Sequence, residues 1–173
     1  MNLLPKNAYK KNLLQIFLIL IITYILVIAS IQIIAPDNII KPENFPKSCP
    51  SESQNCTMIG PIPHRGGNIS EIRFESNITN VMNEIEEWIE INSGEILQEW
   101  PNHTHAVFRT NFLRFPDDFV VNLHCDDEEV VIYVYSKSRL GISDLGVNNN
   151  RVESFRNYVL GADISTSKCT YGD

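Results

Sequence analysis

A run of apolar residues from Leu13 to Ala35 constrains this chain more than any other feature. Only Gln15, Thr23, Ser30 and Gln32 interrupt it with polar groups, and Tyr24 is amphipathic. Such a run makes a helix of about 35 Å, enough to cross a hydrocarbon layer of about 30 Å with some tilt. A cleaved signal peptide is the rival reading. The run is too long for a typical h-region, no small-x-small site follows, and Pro36 ends it, so an uncleaved transmembrane anchor over residues 13–35 is expected. Lys6, Lys10 and Lys11 precede the run, whereas Asp37 and Glu43 follow it. The positive-inside rule then predicts residues 1–12 as a cytoplasmic tail and places the rest in a periplasm, an organelle lumen or outside the cell.

Roughly 135 residues remain beyond the anchor, enough for one domain with a real core. The chain has a formal net charge of −7, and because the three lysines lie before the anchor, the remainder carries about −10. No basic run offsets that charge, so nucleic acid is not expected as a partner. All four cysteines follow the anchor, in a compartment where disulfides persist. Cys49 and Cys56 would close a small ring, and Cys125 with Cys169 would pin the tail to a strand. That pairing is preferred over a zinc site on Cys49, Cys56 and His64, which lacks a second close pair of ligands.

Residues 36–67 are rich in proline and glycine and read as a linker holding the small disulfide loop. The α+β domain is expected over 68–173. Ile69–Phe74 reads as a strand. Ile78, Val81, Met82, Ile85, Trp88 and Ile89 then recur at helical spacing, with Ser76 or Asn77 as cap and Gly94 as stop. Four strand patterns follow at Glu95–Trp100, His103–Thr110, Phe119–Cys125 and Val130–Tyr135, joined by connections that suit antiparallel neighbours. A second helix is expected from Arg151 to Leu160, with Asn150 and Glu153 as a capping box and Gly161 as stop. The order β-α-β-β-β-β-α predicts a curved antiparallel sheet with both helices on one face.

Three segments are distinctive together. Cys49-Pro50 precedes Asn55-Cys56, and Phe115-Pro116-Asp117-Asp118 precedes a strand. The longest segment is Ser136-x-Ser138-Arg139-x-Gly141-x-Ser143-Asp144-x-Gly146-x-Asn148, followed by Arg151-Val152-Glu153. In these residues the chain resembles the domain-of-unknown-function family 1499, from Cys49 to about Leu160. The resemblance implies an uncharacterised, often membrane-attached domain with no established activity. The family often carries arginine after the last asparagine of the long segment, where this chain has Asn149.

Read by their chemistry, Arg139 and Arg151 offer planar forks suited to carboxylate or phosphate, and Gly141 and Gly146 allow turns that present N–H groups. A helix start nearby adds partial positive charge. The bland alternative is an internal network, Arg139 with Asp144 or Asp118 and Arg151 with Glu153. Asp117 and Asp118 suit acid–base chemistry if one is buried, or else an ion pair with an arginine. Ser136, Ser138 and Ser143 lie in no recognised nucleophile context. His103 and His105 share a strand face, with His124 near, but three metal ligands are not assured, and neither metal nor cofactor is expected.

The leading expectation is a non-enzymatic, membrane-tethered domain that binds a partner protein or an anionic or lipid-like ligand. Its site would use Ser138, Arg139, Asp144, Asn148, Arg151, Asp117 and Asp118. The alternatives are an accessory subunit of a larger membrane complex, and a hydrolase or metal-dependent enzyme using Asp117, Asp118 and a histidine.

Overall fold

The computed structural model describes residues 6–171. Helix α1 (Lys6–Ile34) contains one stretch, Lys10–Ile34, with a mean hydropathy of 2.8, long and apolar enough to cross a membrane. Its apolar side chains point outward along most of its length, and Ile31 and Ala35 are the buried ones at its C-terminal end.

The sheet has six antiparallel strands: β1 (Cys56–Ile59), β2 (Ile72–Phe74), β3 (Glu95–Trp100), β4 (His103–Arg109), β5 (Pro116–Asp126) and β6 (Glu129–Ser138). Their order is β1-β6-β5-β4-β3, and β2 also lies along β6, beyond the end of β1. Helices α2 (Ile78–Ile91) and α3 (Val147–Gly161) cover one face. The expected meander and amphipathic α2 are therefore present: every residue of the predicted stripe from Ile78 to Ile89 is buried, and the Asn77 side chain accepts from the Asn80 N–H as a helix cap.

Strand alternation sorts the core. Phe119, Val121 and Leu123 of β5 meet Val134 and Ile132 of β6 and Ala106 and Phe108 of β4 on the helix side. Trp88 of α2 and Phe155 of α3 close over them, with ring centroids 5.1 Å apart. The opposite face holds Cys56, Met58, Val120 and Tyr135, covered by Cys49, Ile40 and Phe45.

That cover corrects the expectation of a spacer. The Pro-rich segment lies as a strap across the sheet and supplies β1, a strand missing from the expected order. The Ile40 N–H donates to Nδ1 of His105 at 3.0 Å, and the Ile40 carbonyl lies 2.8 Å from Nε2 of His103. Phe45 packs against His103 and Tyr133. Both proposed disulfides form: Cys49–Cys56 and Cys125–Cys169, with Cα separations of 5.9 and 5.6 Å. The tail after α3 is laced down by the second of these, by the Ser76 hydroxyl on the Ser165 carbonyl, and by the Cys169 N–H on the Glu128 carbonyl.

Candidate functional site

The long motif of the sequence leaves β6 at Ser138, turns through residues 139–146 and enters α3. Gly141 and Gly146 have φ of +89° and +87°, the left-handed region that glycine occupies without steric cost. Helix α3 begins at Val147, four residues before the expected start. Its opening is organised by Asp144, whose carboxylate accepts the N–H groups of Gly146 at 3.0 Å and Asn148 at 2.8 Å. These are the amides that a helix start leaves without internal partners. Burial pushes the Asp144 carboxyl up, but the two amides and nearby Arg65 outweigh it and hold it below its usual value. The capping box expected from Asn150 and Glu153 is absent. Instead Asn149 donates to Glu153 at 2.7 Å and accepts the Gly66 N–H at 2.8 Å, so it braces the loop before β2.

Asp117 and Asp118 lie inside β5, and adjacent strand residues face opposite ways. This divides the predicted site residues into two networks. On the helix side, Asp117 is 2 % exposed and accepts from Nη2 of Arg151 at 2.9 Å. Nη1 of Arg151 donates to Asn148 Oδ1 at 2.6 Å and to the Ser136 hydroxyl at 3.2 Å. The Asn148 amide donates in turn to Ser138 Oγ at 3.0 Å and to the Asn55 carbonyl at 3.2 Å. The Arg151 guanidinium lies 4.7 Å over the Phe108 ring. Of the two partners expected for Arg151, an aspartate of the Asp117-Asp118 pair and Glu153, the structure has Asp117.

On the strap side, Asp118 Oδ1 accepts from Arg139 Nε and Nη2 at 2.9 and 2.6 Å and pairs with His105 Nε2 at 2.8 Å. An amide N–H can only donate, so the Ile40 contact makes Nδ1 of His105 an acceptor and puts the ring proton on Nε2, aimed at Asp118. Burial raises the Asp118 carboxyl, but the His105 and Arg139 hydrogen bonds prevail and hold it below the ordinary carboxylate range. Arg139 also grips Asp37, beyond the end of α1. Asp37 pairs with Arg109 at 3.2 Å, and Arg109 reaches Glu95 at 2.5 Å and Gln32 of α1 at 3.3 Å. This chain of charges fastens the apolar helix to the domain.

The predicted residues are thus brought close but not into one cleft. Asp117 and Asp118 do not converge on a substrate. His103 and His105 hold the strap, and His124 lies further along β5 against Tyr133. No cluster of three or more metal-ligating side chains occurs among the described residues.

The sequence reading missed two things. Asn55, beside the disulfide, links the motif loop through its side chain to the Gly141 carbonyl and through its own carbonyl to Ser138 and Asn148. The other omission is a groove of about 570 Å³ between the end of α2, the end of β4 and the start of α3. Trp88, Phe108, Arg109, Val147, Arg151 and Ser154 line it. Three distant segments build it, so no local pattern announces it.

A six-stranded antiparallel sheet, two helices on one face and an apolar helix of membrane-crossing length define an α+β domain with a candidate membrane anchor. The chain belongs to the family described as Protein of unknown function (DUF1499), which matches residues 41–159. Among curated proteins and among solved structures, nothing matches the chain.

Proposed function

We propose that this is a single-span membrane protein whose domain stands outside the cytoplasm and binds a lipid-like ligand in the groove between α2, β4 and α3. The N-terminal lysines support the orientation, and the two disulfides support an oxidising compartment. The observation that carries the ligand reading is the groove itself. Trp88, Phe108 and Val147 give it an apolar share, and Asn92, Ser93, Thr110, Asn111, Asn150 and Ser154 line the rest together with Arg109 and Arg151. It adjoins the β4–β5 turn that touches α1. A groove that mixes aromatic surface with many polar groups suits an amphiphile rather than a purely apolar molecule. The two motif arginines support a neutral or weakly charged ligand, because their forks are already held by Asp117, Asp118 and Asp37.

Native mass spectrometry of the full chain, gently extracted from its own membrane, tests this. The wild type should retain a lipid, and Val147→Trp with Ser154→Trp should lose it by filling the groove. A bare wild type, or equal retention by the filled variant, would refute the reading. Retained protein subunits in its place would favour the accessory-subunit alternative.

A further inference from the structure

The β4–β5 turn, residues 110–115, carries an interaction that neither the groove nor the two ion networks explain. It is closed by the Thr110 N–H on the Phe115 carbonyl at 3.0 Å and the Arg114 N–H on the Thr110 carbonyl at 3.1 Å. Phe112 stands at its tip, 71 % exposed. The turn runs down the side of α1. The Tyr24 hydroxyl donates to the Phe112 carbonyl at 2.6 Å, and the rings of the two residues lie 5.3 Å apart. The Gln32 amide donates to the Arg114 carbonyl at 2.9 Å.

The depth of these contacts follows from helix geometry. Lys10 and Lys11 belong at the inner headgroups, and a hydrocarbon layer of about 30 Å takes about 20 residues, so one starting at Leu13 ends near Gln32. Tyr24 then sits about 12 Å below the outer boundary. If the lysines snorkel and draw the helix in by one turn, it still sits about 7 Å below. Hydrogen-bonding groups at that depth need internal partners, so the turn's backbone belongs at the headgroup boundary, with the Phe112 ring reaching below it. Tyr24 and Gln32 are two of the few polar side chains in the apolar run, and each caps a carbonyl of this one turn. Arg114 is exposed at the level of Gln32, where lipid phosphates lie.

We infer that the turn Asn111–Phe115 is a second membrane contact, with Phe112 inserted into the outer leaflet beside Tyr24 and Arg114 at the phosphates. The inference rests on α1 crossing the bilayer. The turn would set the domain close on the membrane surface with a fixed orientation.

The test is Phe112→Trp in the full chain, reconstituted into phosphatidylcholine vesicles with or without brominated acyl chains. The wild type, with Trp88 and Trp100 alone, gives the background. The added emission should be blue-shifted, should lose most of its intensity to the brominated lipid, and should resist aqueous iodide. Quenching by iodide, with no response to brominated lipid, would place the residue in water and overturn the inference. Protection from both quenchers would mean a second copy covers the turn, which also overturns it. Failure of the wild type to enter vesicles at all would overturn the anchor reading itself, an outcome distinct from the other two.

Discussion

Replacing Arg151 by methionine separates a structural arginine from a ligand-binding one. Methionine keeps an apolar stem against Phe108 but removes the guanidinium. Asp117, 2 % exposed, then loses its side-chain partner, and the Asn148 and Ser136 oxygens lose a donor. Removing one partner of a buried pair costs about 3–5 kcal/mol. For a domain of this size that lowers the melting temperature by roughly 10–20 °C. Much of the cost is the stranded carboxylate. The double variant Asp117→Asn, Arg151→Met should therefore be less damaged than Arg151→Met alone, by about 2 kcal/mol. Thermal unfolding of the full chain in mild detergent, followed by tryptophan fluorescence, measures both, because Trp88 packs within the core rings around Phe119 and Phe155. A loss under about 1 kcal/mol for Arg151→Met, with no recovery in the double variant, would refute the buried-pair argument. It would return Arg151 to the role of a free ligand contact.

Two further outcomes follow from the same geometry. Cys125 and Cys169 close a loop spanning 44 positions, so replacing both by alanine should destabilise the chain by about 4 kcal/mol, read as a lower melting temperature. An unchanged melting temperature would mean that the tail contacts alone suffice. Acid should destabilise the fold. Burial and neighbouring His105 hold His103 below its ordinary value near 6.5, only partly offset by the Ile40 carbonyl. The unfolded chain therefore binds the proton more readily, and this contribution is complete above about pH 6.5 and is lost as pH falls below it. Asp118, also held low, adds a second loss as pH falls through and below about 4. Urea unfolding of the full chain in mild detergent should show stability falling from about pH 6.5 downward. Unchanged stability down to about pH 4 would refute the buried-histidine argument.

Much of the fold was legible because its signals are local. The α2 stripe, its Asn77 cap, the antiparallel run from β3 to β6 and the Cys49–Cys56 ring all follow from spacing within short windows. What escaped was non-local or polar. Strand β1 is four residues long, amid proline and glycine, and exists because β6 offers it a partner. The first turn of α3 reads Val-Asn-Asn-Asn, a sequence without an apolar stripe, yet Asn148 is fully buried because its amide is satisfied by Ser136, Ser138 and Asn55. The strand expected from Phe119 starts three residues earlier, at Pro116, because proline is tolerated as a strand's first residue. The resemblance to the family marked these residues without revealing that a sheet divides them.

That division decides how the motif is to be understood. A loop dense in arginine, aspartate and glycine resembles an anion cradle when read along the chain. In three dimensions each cradle element already holds an internal anion: Asp144 at the helix start, Asp117 at Arg151, and Asp118 with Asp37 at Arg139. An external phosphate would have to displace buried carboxylates from charge-assisted bonds, and each displaced carboxylate would then need a new partner or water. The motif is better understood as the brace that joins β5, β6, α3 and the end of α1 into one unit. The surfaces proposed above for recognition are ones the brace positions. The groove beside Trp88 and the turn at Phe112 both grow from the end of β4, where Arg109 ties that strand to Asp37 and Gln32 of the anchor segment. Weakening Arg109 should therefore disturb membrane seating and groove together, whereas changes in the α3 rim should touch the groove alone.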